Sequence, residues 1–137
     1  MVDEELKQRM MDLIAEGSIG VDNIEDYLKL FVQISNESEE IKEECEGWAR
    51  TFQFNIGDYK DMWMKITKET EFILGDGTLE EPDVTLEMEA EIAASLFSGD
   101  IDATKAYMNN DLHVIGAIPD ALKFRTLTEI IRDELTE

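Results

Sequence analysis

The sequence predicts an α+β fold in one domain covering residues 1–137, with helices first and a sheet after them. Apolar residues recur at helical spacing through the first third, alternate with polar residues between about residues 51 and 88, and return to helical spacing from residue 90. A hydrophobic content of 43% in 137 residues suffices for one core without disulfides. We expect a helical part at 1–46 and a sheet-and-helix part at 47–137.

The first two helices are indicated by their apolar faces and their ends. Residues 6–14 place apolar side chains on one stripe, and Gly17 follows as a typical helix end. Asp22 precedes Glu25 by three residues, which is the spacing of a capping box at the start of the second helix.

A third helix is predicted to begin near Asn36 or Ser38, either of which could cap it. Ile41, Cys45 and Trp48 then share one face at helical spacing. This arrangement predicts that the helix reaches Trp48 and that Cys45 is a packed core thiol.

The next segments alternate with a period of two, which is typical of half-buried antiparallel strands. The runs at 51–56, 61–66, 71–74 and 84–88 are predicted to form a four-stranded meander. Gly75-Asp76-Gly77 is interpreted as a hairpin turn within it, because no helix start follows that could make it a phosphate-binding loop.

Helical spacing returns after these strands. Residues 90–97 form a predicted helix with Gly99 just beyond its end, and Asp102 is placed to cap a shorter helix. A last strand at 112–114 follows, and Pro119 marks the first turn of a final helix.

The formal charge of −21 argues against a nucleic-acid partner, because a phosphate polymer requires a stripe of Lys and Arg. Residues 1–46 carry 14 acidic and 4 basic side chains, and the remainder carries 19 and 8, so both parts are acidic. Strong binding to anionic membranes is disfavoured for the same reason. The excess of acidic residues is most simply interpreted as a solubilising surface. Adaptation to high salt is a more specific alternative.

The chain shows no pattern of export or membrane insertion, so we expect a cytoplasmic protein. Its start is acidic rather than basic and apolar, and no apolar run approaches the ~20 residues of a membrane span. The one cysteine excludes an internal disulfide, which fits a reducing compartment.

No metal or cofactor site is predicted. Asp100, Asp102 and Thr104 alternate as in a calcium-binding EF-hand loop. However, Lys105 stands where that loop requires Gly, and Asp111 stands where it requires Glu. The two aspartates are interpreted as a helix end and a helix cap.

No catalytic residue is predicted either. His113 alternates with apolar neighbours and is expected to point away from the core. Cys45 has acidic neighbours that would raise the pKa of its thiol. Glu87, Glu89 and Glu91 lie where a strand passes into a helix and show no sign of the apolar surroundings that an acid–base pair requires.

Methionines on the sheet suggest an adaptable apolar pocket. Met62, Met64 and Met88 lie on predicted inward faces, and Met108 ends a short helix. Methionine suits ligands of varied shape because it is unbranched and polarizable. Ordinary core packing explains the same residues, and spacing alone does not separate the two interpretations.

The order of motifs from residue 75 onward resembles the sterol carrier protein 2 family, and the similarity covers roughly residues 45–130. The motifs are Gly75-Asp76-Gly77, Pro82 to Leu86, Leu96-Phe97-Ser98-Gly99, Ala106-Tyr107-Met108 and Leu112 to Gly116. Asn110 replaces a Gly often found before the last strand, and residues 117–120 form a less open turn than is usual. The sequence ends without the peroxisomal address of many eukaryotic members, so we expect a prokaryotic or freestanding form.

The resemblance implies a twisted five-stranded, mainly antiparallel sheet covered on one face by helices, with a lipid between them. The last helix often acts as a lid in this family. Carried onto this chain, the resemblance predicts the following lining residues: Met64, Ile66, Leu86, Met88, Leu96, Phe97, Met108, Leu112, Val114, Ile118, Leu122 and Phe124.

The resulting expectation is non-enzymatic binding of a hydrophobic small molecule: a fatty acid, acyl-CoA or other acyl thioester, sterol or isoprenoid lipid. The alternative is a protein-interaction or dimerisation module on the same scaffold, with a homodimer or a partner enzyme. A small enzyme that uses Glu or His113 is a third possibility.

Overall fold

The computed structural model describes residues 2–136 and confirms the α+β class. Six α-helices, a short 3₁₀ turn at Val21–Asn23 and five strands make up this part of the chain. The elements are α1 (Glu4–Glu16), α2 (Ile24–Glu37), α3 (Glu39–Glu44), β1 (Arg50–Gly57), β2 (Asp61–Ile66), β3 (Phe72–Asp76), β4 (Val84–Glu89), α4 (Ala90–Ser98), α5 (Ala103–Met108), β5 (Leu112–Gly116) and α6 (Ile118–Leu135).

The first two helices lie where the sequence predicts them, but the start of the second differs. α1 ends at Gly17, which adopts a left-handed φ of 67°. The predicted capping box of Asp22 and Glu25 is wrong, because the N-cap of α2 is Asn23. The Asn23 side chain instead accepts a 2.9 Å hydrogen bond from the backbone N–H of Gly20, which stabilises the 3₁₀ turn.

The third helix is shorter than predicted. Ser38 caps it, as expected, by accepting a 3.2 Å bond from the N–H of Ile41. The helix ends at Glu44, because Gly47 turns the chain with a φ of 74° before Trp48 is reached. Trp48 therefore lies in the connection to β1 rather than on the helix.

The strand order is β3-β2-β1-β4-β5, so the predicted four-stranded meander is wrong. β1, β2 and β3 form a meander, but the chain then crosses back and β4 pairs with β1 in parallel. The remaining pairs are antiparallel, which confirms a mainly antiparallel sheet. Gly75-Asp76-Gly77 consequently begins a crossover connection and is not a hairpin turn.

A buried glutamine holds this crossover connection. Gln53 is 1% exposed, on the face of β1 opposite the helices. Its Nε2 donates to the Gly77 carbonyl at 2.9 Å, and its Oε1 accepts from the Leu79 N–H at 2.8 Å. Farther along, Thr51 and Asp83 exchange hydrogen bonds of 2.9 Å that bring the chain to the start of β4.

The helices cover one face of the sheet, and their aromatic side chains meet those of β1 there. Phe124 of α6 occupies the centre, with its ring centroid 4.9 Å from that of Phe52, 5.4 Å from Phe31 and 5.5 Å from Phe54. All four side chains are buried. α6 is therefore part of the core, and its central turns cannot move away from the sheet without exposing this cluster.

The first turn of α6 is tied to the start of β1 by polar contacts. Asp120 accepts 2.9 Å hydrogen bonds from the indole N–H of Trp48 and from Nε of Arg50. Partial burial alone would raise the pKa of Asp120, but these two hydrogen bonds and the charge of Arg50 hold it below its ordinary value.

None of the helices within residues 2–136 is long and apolar enough to span a membrane.

Candidate functional site

A cavity of about 520 Å³ lies between one end of the sheet and the helices α4, α5 and α6. Its size falls within the ~300–1,000 Å³ that is typical of small-molecule sites. The lining residues are Phe54, Leu86, Met88, Leu96, Phe97, Gly99, Ile101, Asp102, Ala103, Thr104, Tyr107, Met108, Leu112, Val114, Ile118, Ala121, Leu122, Phe124, Arg125, Thr128, Glu129 and Arg132.

The floor of the cavity consists of neighbouring residues on three strands. Leu86 pairs with Phe54 on one side and Val114 on the other, and Met88 pairs with Leu112. These side chains point to the helix-covered face because they alternate with the polar residues of the opposite face. The parallel pairing of β1 and β4 thus creates the floor, since it brings together strands far apart in sequence.

The helices supply the walls and an apolar rim. Phe97 of α4 is buried, whereas Met108 of α5 is 74% exposed and Leu122 of α6 is 50% exposed. Tyr107 and Ile118, also at the rim, are 46% and 41% exposed. Large apolar side chains that border a cavity and also face solvent mark its opening.

Several lining residues are polar, and this polar edge of the cavity includes two arginines of α6, Arg125 and Arg132. Nη2 of Arg125 donates to Asp102 at 2.8 Å, and Nε of Arg125 lies 3.3 Å from a carboxylate oxygen of Glu129. Asp102 lies at the predicted N-cap position of α5, but its side chain makes no capping hydrogen bond. It accepts the hydrogen bond from Arg125 instead. One cationic lining residue is therefore neutralised by carboxylates.

The family of the chain follows from its sequence. The model of the SCP-2 sterol transfer family matches residues 29–129. The chain belongs to this family. No curated protein matches the sequence.

Solved structures share the SCP-2 fold at low sequence identity. The solution structure of the sterol carrier protein domain 2 of Helicoverpa armigera is 20% identical with a TM-score of 0.60, covering 78% of this chain and 86% of that one. The solution structure of palmitated SCP2L2 from Aedes aegypti is 15% identical with a TM-score of 0.57, covering 74% and 90%. These similarities support the fold.

The same fold also occurs inside a much larger chain. The stereoselective inverting sec-alkylsulfatase Pisa1 from Pseudomonas sp. is 14% identical with a TM-score of 0.58. The match covers 72% of this SCP-2 chain but 16% of the sulfatase.

Most residues predicted to line a ligand site border the cavity of this SCP-2 domain; their contact with a ligand stays a prediction. They are Leu86, Met88, Leu96, Phe97, Met108, Leu112, Val114, Ile118, Leu122 and Phe124. Met64 and Ile66, which belong to the same predicted set, do not border it. They are core residues of β2, which pairs with β1 on the side away from β4.

The sequence prediction missed part of the lining. Phe54 was missed because its place beside Leu86 depends on the parallel pairing of β1 with β4. The polar edge, including Arg125 and Arg132, was missed because charges on an amphipathic helix normally face solvent. Tyr107 belongs to the family motif Ala106-Tyr107-Met108, and this motif is the signal that could have identified it as a lining residue.

The other candidate residues lie away from the cavity. Cys45 is buried, as predicted, and burial raises the pKa of its thiol to about 11. His113 is exposed on the uncovered face of the sheet, opposite Glu87 of β4. Within residues 2–136, no three His, Cys, Asp or Glu side chains are placed to hold a metal ion.

Proposed function

We propose that this SCP-2 domain binds one hydrophobic ligand in the cavity and carries it without chemical change. The observation that carries the proposal is an apolar cavity of about 520 Å³ whose floor is built from side chains of three strands. Burial of a hydrocarbon chain there would supply the affinity, at about 0.8 kcal/mol for each methylene removed from water.

The ligand class is a fatty acid, an acyl-CoA or other acyl thioester, a sterol or an isoprenoid lipid. Membership of the SCP-2 sterol transfer family supports a lipid, and the palmitated state of the Aedes aegypti protein supports a single alkyl chain. The exposed rim residues Met108 and Leu122 offer a route by which such a chain could enter from solvent.

The proposal of a carrier rather than an enzyme is supported by the chemistry of the cavity. The described lining contains neither His nor Cys, and the floor is apolar. The carboxylates of Asp102 and Glu129 are both turned to Arg125. We therefore propose no role for His113 or for Glu87, Glu89 and Glu91 in a reaction.

Interaction with another protein is a second candidate function. The exposed apolar rim supports it, as does the presence of this fold within the larger Pisa1 chain. The charge of −21 supports a protein that does not bind nucleic acid and does not bind anionic membranes strongly.

The test is native mass spectrometry of the gently purified protein, followed by extraction and identification of any bound small molecule. We expect an adduct of one apolar molecule for each chain, which is lost on denaturation. If the protein is free of adducts, it is titrated with palmitic acid and palmitoyl-CoA. Failure of both to bind would overturn the carrier proposal and favour the interaction module.

A further inference from the structure

Arg132 differs from the other arginines of the chain in having no anionic partner among the residues that the structure describes. Arg9 is paired with Asp26, Arg50 with Asp120, and Arg125 with Asp102 and Glu129. Arg132 makes no hydrogen bond or ion pair within residues 2–136, although the chain has 33 acidic residues for its 12 basic ones. An unpaired arginine in such an acidic protein requires an explanation.

The position of Arg132 connects it to the cavity. It lines the polar edge, one turn of α6 beyond Thr128 and on the same side. The described lining contains two cationic residues, and the other, Arg125, is already paired with two carboxylates. Arg132 therefore supplies the positive charge that is available to a bound molecule.

The side chain of Arg132 lies beside the end of α4. A Cβ atom at Gly99 would lie 2.8 Å from Cδ and 3.0 Å from Nε of Arg132, so a side chain there would displace the arginine. Gly99 also has a left-handed φ of 88°, which glycine adopts without strain. The partial negative charge at the C-terminus of α4 favours a cation in this position but leaves its N–H donors free.

A second polar group without a partner, the hydroxyl of Tyr27, belongs to a side chain that packs on the last turn of α4. Tyr27 is 1% exposed, and its hydroxyl makes no hydrogen bond. Its ring stacks on that of Phe97, a lining residue, with centroids 4.6 Å apart. Burial raises the pKa of Tyr27, and the charge of Arg132 partly offsets this effect. Two polar groups without partners, the guanidinium of Arg132 and the hydroxyl of Tyr27, are therefore found around the end of α4.

We propose that Arg132 anchors the anionic head group of a single-chain amphiphile whose hydrocarbon chain fills the cavity. This inference rests on the proposed carrier function and narrows its ligand class. A carboxylate or a phosphate monoester would accept paired N–H donors from the guanidinium and form an ion pair with it, whereas an alcohol or a sterol hydroxyl would accept one N–H and form no ion pair.

The test compares ligands of one chain length with different head groups. Dodecanoic acid, dodecyl phosphate and 1-dodecanol compete against the neutral fluorescent probe diphenylhexatriene for wild type, Arg132→Met, Arg132→Lys and Lys105→Met. Lys105 is exposed and outside the lining, so the last variant changes the net charge equally without altering the cavity. Circular dichroism verifies that each variant is folded.

We expect wild type and Lys105→Met to bind at least one of the two anions about tenfold more tightly than dodecanol, the increment of one charge-assisted hydrogen bond. Arg132→Met should lose this preference while its affinity for dodecanol stays unchanged, and Arg132→Lys should keep part of it. The anion that wild type binds more tightly than dodecanol, and that Arg132→Met does not, identifies the head group.

Two outcomes would overturn the inference, and they are distinguishable. Equal binding of acid, phosphate and alcohol by wild type, or an anion preference that survives in Arg132→Met, would refute the anchor while leaving the carrier function intact. Absence of binding by all ligands, including diphenylhexatriene, would refute the carrier function itself.

Discussion

The indole N–H of Trp48 donates a 2.9 Å hydrogen bond to Asp120, which connects the residues before β1 to the first turn of α6. Arg50 binds the other carboxylate oxygen at the same distance. Asp120 is therefore a clamp at the start of the helix that forms one wall of the cavity, and it fixes that wall to the sheet.

Asp120→Asn tests this clamp and its pH dependence. Because the pKa of Asp120 is lowered on folding, its ionised form stabilises the protein above the unfolded-state pKa. This contribution disappears as the pH falls through the lowered pKa of the folded state. We expect Asp120→Asn to lose about 1–3 kcal/mol of unfolding free energy at pH 7, with the difference from wild type decreasing as the pH falls through the lowered pKa of the folded state.

Urea denaturation of both proteins at a series of pH values measures this difference. Subtracting one curve from the other removes the effects of the many other carboxylates. A difference that is the same at pH 7 and pH 3 would show that the charge of Asp120 contributes nothing.

Gln53→Leu is expected to destabilise the domain through the crossover connection. The substitution removes the partners of the Gly77 carbonyl and the Leu79 N–H from a buried position. Each backbone group left unsatisfied costs about 1–3 kcal/mol. Chemical denaturation should show this loss, whereas the exposed control Gln8→Leu should change stability by less than about 0.5 kcal/mol. Equal effects in the two variants would contradict the role of Gln53.

Leu122→Glu is expected to weaken binding of an alkyl chain without unfolding the protein. Leu122 borders the cavity and is 50% exposed, so the new carboxylate stays hydrated but faces the opening. The control is Ile115→Glu, which adds the same charge at a site 56% exposed and outside the lining. Titration with diphenylhexatriene should show a loss of about tenfold or more for Leu122→Glu alone, equivalent to about 1.4 kcal/mol. Similar losses in both would indicate a general charge effect.

Gly116→Ala is expected to be more destabilising than Gly77→Ala. Both glycines have a positive φ, 119° at Gly116 and 101° at Gly77, so an alanine is strained at either. Only at Gly116 would the added Cβ also lie 2.3 Å from a backbone atom, the carbonyl oxygen of Asp83. Thermal unfolding of the two variants separates the steric contact from the strain, and a Gly77→Ala variant that is equally unstable would contradict the contact.

The sequence predicted the elements better than their pairing. Local alternation identifies β1 and β4 as strands, but it contains no information about which strand lies beside which. The crossover connection that leads to β4 is bound by Gln53, a polar residue whose burial cannot be predicted from the local alternation. The inward spacing of Met64 and Ile66 is the same as that of Leu86 and Met88, so spacing does not distinguish core residues from residues that border the cavity.

The family resemblance predicted most of the apolar lining residues, whereas the charged ones were found only in the structure. Leu112, Val114 and Leu122 could be placed by matching element faces. Arg132 could not, because its lack of a carboxylate partner depends on where Asp102 and Glu129 lie in space.

The helix α5 has one buried side chain, that of Ala106, whereas α6 has four. Local opening of α5 therefore requires little loss of core packing, and we expect its backbone amides to exchange with solvent faster than those of α6. Entry of the proposed ligand past α5 would depend on local opening of the six residues of this helix rather than on unfolding of the whole domain. For the carrier function proposed above, the rate of ligand exchange and the global stability of the protein would be separate properties, which evolution can adjust independently.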